Sequence, residues 1–247
     1  MAQASPKSLF DMVGGVLPME ESSPSNLTVL PGEIWVVTGP AGSGKSTLFK
    51  VMAGLIQSLD GELHLFGHDL RQISPRRLLR LRRRLGVMLE KDGLVPSWTV
   101  HECLELPWRY HQGLPTQTLD ARLIGIMEQY GEEPELLGRV VATLTLEQQI
   151  RMGLLRAMQM EPELLLIDND LVCSLLPGYF QVSFARRLQE HQCALVVRAM
   201  PGIYAILPKE AVQVAVVWKG TIVATGTRET LRRHADPLVR KHVERFG

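Results

Sequence analysis

The segment Gly39-Pro40-Ala41-Gly42-Ser43-Gly44-Lys45-Ser46-Thr47 has the residue types of a loop that wraps an anion. Glycines let successive backbone amides turn toward one phosphate, and a helix N-terminus adds unpaired donors and the positive end of its dipole. The apolar run Ile34-Trp35-Val36-Val37 precedes the loop and a helix-forming stretch begins near Lys45, which is the strand-loop-helix context that a phosphate loop requires. In this pattern Lys45 reaches the β- and γ-phosphates of a nucleotide and the Ser46 hydroxyl ligates Mg2+. Further on, Leu164-Leu165-Leu166-Ile167 is an apolar strand ending in Asp168, a carboxylate placed to hold Mg2+ or its water.

These residues need elements to position them. Strand-like segments recur at Glu62–Phe66, Leu85–Leu89, Leu164–Ile167, Ala194–Val197, Val212–Trp218 and Thr221–Ala224, with helical patterns between several of them. Strands interleaved with helices imply a parallel-rich sheet with crossover connections. Residues 92–158 read instead as a helical insertion, punctuated at Pro96, Pro107, Gly113, Pro115 and Pro134. The expected architecture is α/β, a single domain over 1–247 with that helical subdomain inserted and a basic helical extension at 228–247.

The chain has 247 residues with 27 basic and 26 acidic side chains, a net charge of +1 that points to no bulk nucleic-acid binding. Cys103, Cys173 and Cys193 fit neither a disulfide framework nor metal-ligand spacing, which favours a reducing compartment. No run of about 18 apolar residues is present, so the chain is not expected to span a membrane by itself. His64, His68, His101 and His111 show no ligand spacing. The Arg76–Arg84 cluster reads first as a solvated helix face.

Leu144 lies 24 positions before Asp168 and opens Leu144-Thr145-Leu146-Glu147-Gln148-Gln149-Ile150-Arg151, followed by Arg156 and Ala157. At this point the chain resembles the ATP-binding subunits of ABC transporters, whose L-S-G-G-Q signature stands at this distance from the strand ending in the Mg2+-binding Asp. The resemblance covers about residues 27–230 and implies a P-loop NTPase (RecA-like) core with an N-terminal antiparallel β part. It also implies ATP and Mg2+ as cofactors, a second ATPase subunit, and integral membrane permease subunits that keep the chain peripheral on the cytoplasmic face of the membrane. The run from Arg82 to Leu94, then Trp98-Thr99-Val100-His101-Glu102 and Leu106-Pro107, looks like the Mla-type ATPases that energise MCE-class lipid transporters. The tail from Gly226 to Phe246 is similar to that subgroup as well.

The departures from the family pattern concern catalysis. Asn169 stands where the family places the catalytic Glu, Glu90 where it places the Q-loop Gln, and Ala199 where it places the switch histidine. Leu146 and Glu147 replace the signature glycines, and Asp170 to Leu175 does not keep the family turn. The resemblance therefore implies an ATP binder with slow hydrolysis, alone or paired with an intact paralogue, or else a non-catalytic regulatory subunit. A P-loop kinase or GTPase is the competing class; the signature-like helix and the absence of an N-K-x-D motif argue against it. The adenine-stacking residue is sought in the N-terminal strands, with Phe10 and Val16 as equal candidates.

Overall fold

Residues 8–58, 60–89, 93–112, 116–172, 178, 193–208 and 212–245 are described by the computed structural model. Near the N-terminus, alternating apolar residues build a half-buried antiparallel sheet. It consists of β1 (Phe10–Val16), β2 (Ser25–Val29), β4 (Asp60–Leu65) and β5 (His68–Asp69), in the order β2-β1-β4-β5. In β2 the period is strict: Ser25, Leu27 and Val29 point inward while Asn26 and Thr28 face solvent, as expected for a strand with one wet face.

Continuous apolar runs form the second sheet. β3 (Ile34–Thr38) and β7 (Leu164–Ile167) are buried at every position, the pattern of strands covered on both faces. With β6 (Leu85–Met88), β8 (Ala194–Arg198), β9 (Val212–Trp218) and β10 (Thr221–Thr227) they make a six-stranded sheet in the order β10-β9-β3-β8-β7-β6. The ladder is parallel from β9 to β6, and β10 closes one edge antiparallel to β9.

Two core clusters flank this sheet, and strand alternation assigns residues to each. Trp35, Val37, Leu164, Leu166, Ala194 and Val196 pack with Leu48, Phe49, Val51 and Met52 of α1 (Lys45–Met52). Ile34, Val36, Leu165, Ile167, Leu195 and Val197 belong to the other cluster. That cluster also takes in α3 (Val100–Gln112), α4 (Thr116–Gln129) and α5 (Leu146–Met158), the helices of the block anticipated from Pro and Gly punctuation. α2 (Pro75–Arg82) begins at the Ser74 cap and leads into β6.

Pro107 does not punctuate the chain as expected: it lies inside α3. A proline removes one helical hydrogen bond, and tertiary ties hold this helix on both sides of the gap. Trp108 Nε1 donates to Gln159 Oε1 at 2.9 Å, and Gln159 Nε2 donates to the Leu104 carbonyl at 3.0 Å. The solvated reading of the arginine cluster also holds only in part. Arg76, Arg77, Arg80 and Arg83 are exposed, whereas Arg82 bonds the Gly54 carbonyl and Arg84 forms a bidentate pair with Glu163.

The basic C-terminal segment folds onto its own domain. Leu231 of α7 (Arg228–Arg232) and Val239 and Val243 of α8 (Pro237–Glu244) are buried in the second cluster; α6 (Ile203–Ile206) follows β8. Phe246 lies outside the described residues. Among the described residues no helix is long and apolar enough to cross a membrane.

Candidate functional site

The loop Gly39–Thr47 leaves the C-terminal end of β3 and enters α1. Ligands of open parallel sheets bind at this end of the strands. Gly42 has φ +72°, and a side chain added there would meet no heavy atom within 4 Å, so the loop's outer surface is open. Gly44, the residue before α1, is enclosed: with φ +103°, an added Cβ would lie 2.6 Å from Met19 Sδ and 3.0 Å from Gly220 Cα. Only glycine fits there on both conformational and steric grounds.

Lys45 is buried, with Nζ donating to the carbonyls of Gly39 at 2.9 Å and Pro40 at 2.6 Å. Its ammonium thus sits over the loop, beside the Ser43 hydroxyl at 3.4 Å. Ser46 and Thr47 are half-buried in the first turn of α1, where the leading amides of a helix lack intrahelical acceptors. An open glycine-rich rim, a fixed cation and a helix N-terminus together fit a phosphate chain with its metal.

Residues distant in sequence support the loop from below. The Gly220 amide donates to the Ser43 carbonyl at 2.8 Å, and Ser22 Oγ donates to the Gly220 carbonyl at 2.9 Å. Lys219 pairs with Glu21 in the same turn. On the other side Thr38 Oγ1 donates to the His242 carbonyl at 3.2 Å, joining α8 to the end of β3. No motif marks Met19, Ser22 or Gly220; the only advance signal is a glycine between β9 and β10.

Asp168 is 1% exposed at the end of β7, its amide donating to the Met88 carbonyl at 2.8 Å. Arg198, the last residue of β8, places Nη1 3.4 Å from Asp168 Oδ1. No sequence motif marks this arginine, which directly follows the strand-like run Ala194–Val197. Asn169 is buried, and its Oδ1 accepts the Leu171 amide at 2.9 Å. Ala199 is buried in the cluster on the sheet face opposite α1. Glu90, and the segment Cys173 to Leu175, lie outside the described residues.

The signature-like segment heads α5. Thr145 caps the helix: its hydroxyl accepts the Gln148 amide at 3.2 Å, while Gln148 Oε1 accepts the Thr145 amide at 3.0 Å. Leu144 is buried beneath, and Leu146 stands 53% exposed. Glu147 is turned along its own helix to Arg151, at 2.6 Å, and Arg151 also approaches the buried Glu132 at 3.7 Å. At the two glycine positions Leu146 therefore presents exposed apolar bulk, while the half-exposed Glu147 carboxylate is engaged by Arg151.

Of the two stacking candidates, Phe10 is corrected. It is fully buried in the first core cluster and presents no face to a base. An aromatic ring has the chemistry to stack on a base, but the inward phase of β1 buries this one. Val16, at the end of β1, is half-buried.

Comparison with known proteins places this geometry in a family. The ABC transporter family model matches residues 23–171. The methionine import ATP-binding protein MetN 2 of Paraburkholderia xenovorans is 28% identical over 90% of this chain and 58% of its own length. The intermembrane phospholipid transport system ATP-binding protein MlaF of Escherichia coli is 26% identical over 89% of this chain and 81% of its own. The chain thus spans little more than half the length of the MetN relative. The dimeric structure of the bacterial ABC transporter cassette MJ0796 superposes with a TM-score of 0.76 at 20% identity, covering 88% of this chain and 98% of that one. With its P-loop NTPase fold and phosphate loop, and with ATP and Mg2+ as the cofactors of such a cassette, the chain belongs to the ABC transporter family.

Proposed function

We propose that this chain is the ATP-binding subunit of an ABC transporter complex, one that keeps nucleotide binding while hydrolysing ATP slowly. The observation that carries this reading is the contrast between a complete loop, with Lys45 seated over it, and the buried amide of Asn169 beside Asp168. Gly39 to Thr47 hold the phosphates, and Ser46 and Asp168 hold Mg2+. Bound ATP and Mg2+ supply the transferable phosphoryl group and its charge neutralisation. At position 169 a carboxylate would orient water and accept its proton; an amide orients water but is no base. Ala199 offers no hydrogen bond in place of the switch histidine. Glu90, at the Q-loop position, is the residue to test for partial compensation.

ABC ATPases pair head to tail, so each nucleotide faces the other subunit's signature. Leu144 to Gln148 serve that role here, and the projecting Leu146 makes a poor clasp. A heterodimer with an intact ATPase paralogue leaves each composite site only partly damaged and is the favoured assembly, a homodimer being the alternative. Permease subunits dock where a cavity of about 310 Å3 lies between Arg82, Arg83, Leu89, Pro107 and Arg156. Exposed Leu106 and Tyr110 stand on the same helical block as Pro107. The likeness to MlaF supports phospholipid as the cargo class, with an MCE-type protein reached through the complex and the chain peripheral on the cytoplasmic face of the inner membrane.

A second reading, a non-catalytic regulatory or structural subunit paired with an active paralogue, is favoured by Leu146 and Ala199 together. Binding and hydrolysis of Mg-ATP by the purified chain, with Lys45→Ala as control, separate the two. Lys45-dependent turnover supports the slow motor; tight binding with turnover equal to the control supports the regulatory subunit. Absence of Lys45-dependent binding overturns both.

A further inference from the structure

Strand parity places Asp168 and Arg198 on one face of the sheet. Leu164 and Leu166 of β7, and Ala194 and Val196 of β8, belong to the cluster packed by α1; Asp168 and Arg198 continue those two series. The strands are parallel neighbours with Ile167 opposite Val197, so the carboxylate and the guanidinium emerge side by side. β8 also adjoins β3 with Val37 opposite Arg198, and the Ala199 amide donates to the Val37 carbonyl at 2.8 Å. Arg198 therefore stands beside the strand end from which the phosphate loop departs. Its side chain is 20% exposed, against 1% for Asp168, so it forms the outer member of the pair.

Mg2+ binds through one or two carboxylates together with nucleotide phosphates, and sheds its waters reluctantly. A carboxylate already facing a permanent cation offers Mg2+ less attraction. A guanidinium, in turn, carries donors suited to both carboxylate and phosphate oxygens. We propose that Arg198 is a resident cation of the nucleotide site, neutralising Asp168 so that ATP binding depends only weakly on Mg2+. This inference rests on the assignment of Gly39–Thr47 and Asp168 to the nucleotide site made above. It goes beyond that assignment by giving the chain a metal-independent mode of binding, in which nucleotide occupancy is uncoupled from the metal that hydrolysis needs.

The test is equilibrium binding of a fluorescent ATP analogue to the full chain at constant ionic strength, with Mg2+ or with EDTA, for wild type, Arg198→Gln, Arg198→Lys and Lys45→Ala. Wild type is expected to bind in EDTA within about threefold of its Mg2+ affinity, and Arg198→Gln to weaken about tenfold or more on metal removal. Arg198→Lys keeps a cation and is expected to resemble wild type. A merely structural role for Arg198 would alter folding or affinity in both buffers without changing their ratio. Equal ratios for wild type and Arg198→Gln overturn the proposal, as does a wild-type loss of about tenfold or more in EDTA, a measurement needing no variant to fold. Binding indistinguishable from Lys45→Ala in both buffers overturns the nucleotide-site assignment itself.

Discussion

In the proposed reading Asn169 and Lys45 divide the chemistry between them: the amide at 169 would limit proton transfer, and the Lys45 ammonium would hold the phosphate. Replacing Asn169 with Glu is expected to raise Lys45-dependent phosphate release at least about tenfold, because a positioned general base contributes roughly 10²–10⁴ in rate. A phosphate-release assay of the variant in the presence of Mg-ATP checks this; an unchanged rate would mean that Ala199 or the signature limits turnover instead. His242 offers a pH readout in the same region. Burial, followed by the charges of Arg245, Lys241 and Lys45, lowers its pKa from the ordinary 6.5. The unfolded chain then takes up the proton first, so the contribution of His242 to stability is complete above pH 6.5 and declines as the pH falls below it toward the depressed folded value. Melting temperatures between neutral and mildly acidic pH are expected to fall, and His242→Leu to make the fall shallower.

At the level of elements, the site depends on how the loop and α5 are supported. Gly44→Ala puts a methyl group against Met19 and Gly220 at a positive φ, and is expected to lower the melting temperature and abolish nucleotide binding together. Gln159→Ala leaves the buried Trp108 Nε1 and the Leu104 carbonyl without the partner that joins them. It should cost about 1–3 kcal/mol in denaturant unfolding, the usual penalty for an orphaned buried polar group. Thr145→Ala removes only the cap of α5 and is expected to cost about 1 kcal/mol. A larger loss would show that the signature segment has a structural burden beyond its cap.

For the whole molecule, the expected behaviour is a monomer that pairs poorly with itself. Light scattering of the purified chain with ATP and Mg2+ should give the monomer mass of 27.6 kDa. Leu146→Gly together with Glu147→Gly should favour an ATP-dependent dimer, since side chains no longer project at the glycine positions. A stable ATP-dependent homodimer of the unaltered chain would remove the reason for a paralogous partner.

The sequence by itself determined the parts whose physics is local. The phosphate loop is legible because glycine spacing and the following helix act on neighbouring amides. β3, β7, β8 and β9 are legible because strands covered on both faces are continuous apolar runs. β1 was less clear, since its irregular register interrupts the alternation at Gly14 and Gly15, and its inward phase withdrew Phe10 from the site. Only the tertiary structure decided what meets across long separations: Ser22 with Gly220, 198 residues apart, and Asp168 with Arg198, 30 apart. Such pairs follow from strand order and register, and sheet order is set by which hydrophobic faces bury one another, a property of the whole chain that no local spacing encodes.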